Sequence, residues 1–76
     1  MKEKILEIIG SVTNKSNQEL EKDLANPNFC DSLQKVEIIL SIEEEFNIFF
    51  DTEDLSEMIS IESIIRLTEG KISNEP

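Results

Sequence analysis

Histidine is absent from this sequence, cysteine occurs once, and the stretch from Val36 to Ile65 holds no lysine or arginine. Each absence excludes something. Without histidine the chain lacks the commonest general base near neutral pH and the commonest transition-metal ligand. A single cysteine, Cys30, can form no internal disulfide and no cysteine-rich zinc site. The longest apolar run, Val36 to Ile42, is interrupted by Glu37 and Ser41 and falls short of the roughly 20 residues that a spanning helix needs. Near the start, Glu3 and Glu7 break the apolar stretch a signal peptide requires. A cytoplasmic chain without membrane insertion is expected.

What is present is small and acidic. The 76 residues carry 17 acidic and 7 basic side chains, a formal net charge of -10, with 38% hydrophobic residues. Such a length supports one domain with a modest core, and helices suit it because their contacts are local. A deep catalytic cleft is hard to build at this size, so a binding or carrier module is favoured over an enzyme. The charge argues against nucleic acid and anionic membrane surfaces. It favours partners that present basic patches.

Hydrophobic spacing reads as all-α. Ile5, Ile8, Ile9 and Val12 follow helical spacing and predict a first helix from Lys2 to Thr13. Between Ser16 and Cys30 the pattern is irregular, with Leu20, Leu24 and Phe29 spaced to enter a core and Pro27 enforcing a turn. A long ordered loop is expected there, with one short helical turn around Gln18 to Asp23. The second helix is predicted from Ser32 to Phe46 as a central helix, with Val36, Ile38, Ile39, Leu40, Ile42 and Phe46 across a wide apolar arc, Leu33 at its edge, and Asn47 as its C-cap. Asp51 or Thr52 caps a short third helix. Ser60 caps the last, whose buried stripe is Ile61, Ile64, Ile65, Leu67 and Ile72, and residues 71-76 are expected to form a frayed tail. The expectation is one domain, a small four-helix bundle of three main helices and a short third, with the long loop between helices one and two.

At the head of the second helix stand Asp31 and Ser32. Asp31 with Gln34 three residues on resembles a capping box, and that alone accounts for both residues. It has a consequence, however. If Asp31 is the cap, the Ser32 hydroxyl is not needed by the backbone and points outward. The positive end of the helix dipole favours a phosphate there. With no histidine and no evident lysine partner to activate it, Ser32 suits the role of substrate better than that of nucleophilic catalyst.

Below the serine, Glu37, Glu43, Glu44, Glu45, Asp51, Glu53, Asp54, Glu57 and Glu62 form a one-sided run. Solvation alone explains isolated acids; a run that repels itself through two helices points to a partner surface. A calcium loop at "DTEDLSE" is not expected, since the sixth position from Asp51 is Ser56 where an EF-hand needs glycine. No metal site is expected. Cys30 beside Asp31 makes a poor nucleophile, because a neighbouring carboxylate raises a thiol pKa. It reads as a small buried residue, and Met58, Phe49 and Phe50 read as core or cleft lining.

The stretch "DSLQKVEIILSIEEEFNI" resembles the start of helix two in the acyl carrier protein family: Asp-Ser-Leu, then a Val-Glu pair, apolar residues, and a Glu-rich segment closing on Phe. "KILEIIGSV", "LEKDL" and "DTEDLSEMISIESII" resemble, more weakly, the family's first helix, the segment before the serine, and the third and fourth helices. The resemblance implies 4′-phosphopantetheine, derived from coenzyme A, attached covalently to Ser32 within the Asp31-Ser32-Leu33 triplet. Its thiol would carry acyl groups as thioesters. Asp31 would help present the serine to a phosphopantetheinyl transferase, and Glu37, Glu43 and Glu44 would face basic patches on acyl-processing enzymes. A monomer without catalytic activity of its own is implied. The chain departs from the family in having Phe29 where a glycine is usual, Gln34 and Lys35 after the triplet, and no proline in "NIFFD". A specialised acyl, D-alanyl, other aminoacyl or polyketide-type carrier fits the pattern as well as a carrier for fatty acid synthesis. An acidic interaction module without a prosthetic group is the competing class.

Overall fold

In the computed structural model, which describes residues 1-73, five helices follow one another: α1 (Lys2–Thr13), α2 (Asn17–Lys22), α3 (Ser32–Phe46), α4 (Thr52–Glu57) and α5 (Ile61–Ser73). No strand occurs among the described residues. Among them, too, no helix is long and apolar enough to cross a membrane.

The first helix buries Ile5, Leu6 and Ile9, while Ile8 and Val12 are half-buried against the same core. Its buried stripe is therefore turned toward Leu6, which the spacing argument omitted. Asn14 stops α1 in the left-handed conformation (φ 60°), with its N–H on the Gly10 carbonyl. The chain then folds back so tightly that a Cβ on Gly10 would lie 2.8 Å from the Lys15 carbonyl oxygen.

The expected loop from Ser16 to Cys30 contains a full short helix, α2. Ser16 caps it with Glu19 in a reciprocal box, and the Ser16 N–H and hydroxyl hold the Glu19 carboxyl below its ordinary pKa. Leu20 and Phe29 are buried as expected, with Leu24 half-buried. Lys15 fastens the rest. Its ammonium donates to the Phe29 carbonyl at 3.0 Å and pairs with Asp23 at 3.6 Å. The Glu62 N–H donates to the Leu24 carbonyl at 2.9 Å, tying the segment to the start of α5.

α3 packs chiefly against α1, and it differs from the expected central helix. Only Ile38 and Ile42 are buried, with Ile39 and Phe46 half-buried. Val36 and Leu40, expected inside, are 52% and 58% exposed, and Leu33 is 70% exposed. The reason is geometric. At about 100° per residue, Val36 and Leu40 lie nearly opposite Ile38 and Ile42, and one helix of α1's length covers one side of α3 only. Asn47 ends α3 in the left-handed conformation (φ 55°), as expected.

After Asn47 the chain alternates: Ile48 and Phe50 are buried and Phe49 is 80% exposed. Phe49 is thus neither core nor cleft lining, whereas Met58 and Phe50 are core. Asp51 caps α4 in a box with Asp54. That helix buries none of its own residues and is tied to α5 by Asp54 and Lys71, 2.8 Å apart. Ser60 and Ser63 bond reciprocally at the head of α5 through the Ser63 N–H (3.2 Å) and the Ser60 N–H (2.9 Å). Ile61, Ile64 and Ile65 are buried and Leu67 and Ile72 half-buried. α5 continues through Ser73, past the start of the expected tail; residues 74-76 lie outside the described residues.

Candidate functional site

The head of α3 is held by two neighbours of Ser32 and not by Ser32 itself. Asp31 is extended (φ -84°, ψ 175°). Its Oδ1 accepts from the Gln34 N–H at 2.8 Å, and Gln34 Oε1 accepts from the Asp31 N–H at 3.2 Å. The box anticipated from the Asp31–Gln34 spacing is therefore closed in both directions. Ser32 is the first helical residue, exposed, and its hydroxyl has no hydrogen-bond partner among the described residues. The cap and the free hydroxyl are separate groups. A phosphate ester on Ser32 would disturb no bond that the fold uses.

Among the described residues, no group is placed to act as a base on this hydroxyl. Histidine is absent, and the Asp31 carboxylate is engaged with the Gln34 amide. Cys30, two residues upstream, is half-buried. Burial is the main cause raising its thiol pKa, with Asp31 adding to the rise and Lys35 and Lys15 opposing it. The thiol is therefore protonated and poorly nucleophilic at neutral pH. Burial contributes more to this rise than the neighbouring carboxylate, and Cys30, expected to be buried, is only half-buried.

Down the helix from Ser32, positions four apart are neighbours, so Val36 and Leu40 continue the row that Ser32 begins, with Leu33 alongside. These three side chains form an exposed apolar stripe that sequence reasoning placed mostly inside. Glu37 and Glu44 border it and are exposed. Beside it runs an open groove of about 390 Å³ between α1 and α3, lined by Ile8, Leu40, Ser41, Glu44 and Glu45.

The three acids singled out from the sequence are not equivalent. Glu37 and Glu44 are free on the surface. Glu43 is half-buried, and its Oε2 accepts from the Phe50 N–H at 2.9 Å, pinning the connector that follows α3. Among the described residues, no group of three or more His, Cys, Asp or Glu side chains is placed to hold a metal ion.

No family model matches the chain, and no curated protein matches it.

Proposed function

We propose that this chain is an acyl carrier protein: a 4′-phosphopantetheine arm on Ser32 holds acyl intermediates that the chain delivers to partner enzymes of fatty acid or related acyl-chain biosynthesis. The observation that carries the reading is the Ser32 hydroxyl, exposed and unpartnered at the first position of a helix that Asp31 already caps. The resemblance of "DSLQKVEIILSIEEEFNI" to the family's second helix supports it. Under this reading α1, α3, α4 and α5 are the helices of a four-helix bundle, and α2 elaborates the connection before the serine. The bound arm supplies a thiol for thioester formation.

Attachment is a phosphoryl transfer from coenzyme A. The Ser32 Oγ bonds to the pantetheine-side phosphorus, the pyrophosphate P–O bond breaks, and adenosine 3′,5′-bisphosphate leaves. The serine proton goes to a base on the transferase, since the carrier has none to offer. The chain is substrate and carriage, and the catalysis belongs to its partners. Leu33, Val36 and Leu40 offer apolar contact, and Glu37 and Glu44 steer basic surfaces toward the serine; Glu43 adds charge from a fixed position. A cytoplasmic monomer fits these roles, and D-alanyl, other aminoacyl or polyketide-type cargo would ride on the same attachment.

Incubation with coenzyme A and a phosphopantetheinyl transferase tests the reading: the intact mass rises by one phosphopantetheine, and Ser32→Ala abolishes the rise. The exposed apolar stripe also favours a second reading, an interaction module with no prosthetic group. That reading requires Ser32→Ala to keep full function in cells while Glu37 and Glu44 substitutions lose it.

A further inference from the structure

Lys35 is a cation without an acid. Lys4, Lys15 and Lys71 each pair with a carboxylate; among the described residues Lys35 does not, and neither do Lys2, Lys22 or Arg66, but of these four Lys35 alone is half-buried. Part of its side chain therefore packs against the protein. It lies three residues after Ser32, and helical side chains lean toward the N-terminus, so its natural path runs back over the first turn. That path brings the ammonium within reach of the Cys30–Ser32 end of α3. The positive charge of Lys35 also opposes the rise in the Cys30 thiol pKa. It stands on the flank of Ser32 away from Val36 and Leu40.

We propose that Lys35 is a positioning residue for the prosthetic arm, its ammonium pairing with the phosphodiester oxygens on Ser32 and holding the root of the arm off the stripe of Leu33, Val36 and Leu40. The inference rests on the carrier reading. It adds a division of the helix head into an anionic root on the Lys35 side and an apolar docking face on the other.

The test compares apo and loaded protein, with loading verified by intact mass. Acetylation of each lysine by a water-soluble acylating reagent is followed by peptide mass spectrometry, with exposed Lys22 as internal reference. At low ionic strength Lys35 reacts roughly fivefold more slowly in the loaded protein, the factor that one close opposite charge supplies in water, and added salt narrows the gap. The 31P resonance of the loaded protein also moves on Lys35→Gln and stays in place on Lys35→Arg. Equal Lys35 rates in apo and fully loaded protein overturn the inference and leave the carrier reading intact. Failure of any transferase to load the chain overturns both.

Discussion

Replacing Asp31 and Ser32 separately by alanine distinguishes a helix cap from the proposed attachment point, because Asp31, and not Ser32, closes the cap. Asp31→Ala removes the 2.8 Å bond from the Gln34 N–H and breaks the reciprocal bond from the Asp31 N–H to Gln34. Loss of such a cap costs about 1 to 2 kcal/mol. For a domain of this size each kcal/mol lowers Tm by about 4 to 8 °C, so thermal unfolding followed by circular dichroism resolves the change easily. Ser32→Ala removes a hydroxyl with no partner on an exposed side chain, and the expected change is within about 0.5 kcal/mol. In loading assays the order reverses: Ser32→Ala is dead, and Asp31→Ala loads more slowly. If Ser32→Ala destabilises as much as Asp31→Ala, the hydroxyl is part of the cap and the separation of roles is wrong.

The two faces of α3 should respond differently to truncation: Ile38→Ala, fully buried, costs about 2 to 5 kcal/mol, whereas half-exposed Val36→Ala costs less than about 1 kcal/mol. Chemical denaturation of the two variants checks this. Gly10→Ala should destabilise by about 1 to 3 kcal/mol because the added Cβ meets a backbone oxygen that cannot yield; urea titration measures it. The Asp54 carboxyl is held below its ordinary pKa, first by its bond to the Lys71 ammonium and then by the Asp51 N–H. A depressed carboxyl stabilises the fold above its unfolded pKa, and this contribution disappears as pH falls through the folded value. The Tm gap between wild type and Asp54→Asn is therefore present at neutral pH and closes in acid; a gap that persists unchanged below the carboxylate range contradicts it. Burial of Cys30 predicts alkylation at neutral pH several-fold slower than in an unfolded peptide of the same sequence, with the rate recovering in denaturant.

Most helix boundaries were legible because their signals are local. Asp31, Asn47 and Asp51 act at the ends they cap, and α1 and α3 span the residues their periodicity indicates. α2 was legible only as a turn near Gln18 to Asp23, since six residues with one buried leucine carry little periodicity. Features made by the tertiary fold were not legible. Val36 and Leu40 are as apolar as Ile38 and Ile42, and only the position of α1 decides which pair is covered. Glu43 reads like its neighbours until the connector returns and brings the Phe50 N–H to its carboxylate. The clasp from Lys15 to Phe29 and Asp23 likewise spans residues too distant in sequence for any local pattern to pair. Of the site itself, the triplet and its cap could be read from the letters, while the apolar stripe and the unpaired Lys35 required neighbours in space.

The most direct measurement is fragmentation mass spectrometry of the protein recovered from its native host, which locates any added group on the chain. The expected result is a phosphopantetheine on Ser32, with or without an acyl group on its thiol. Protein from growing cells that carries no modification at Ser32, and that resists loading in vitro, would contradict the carrier reading.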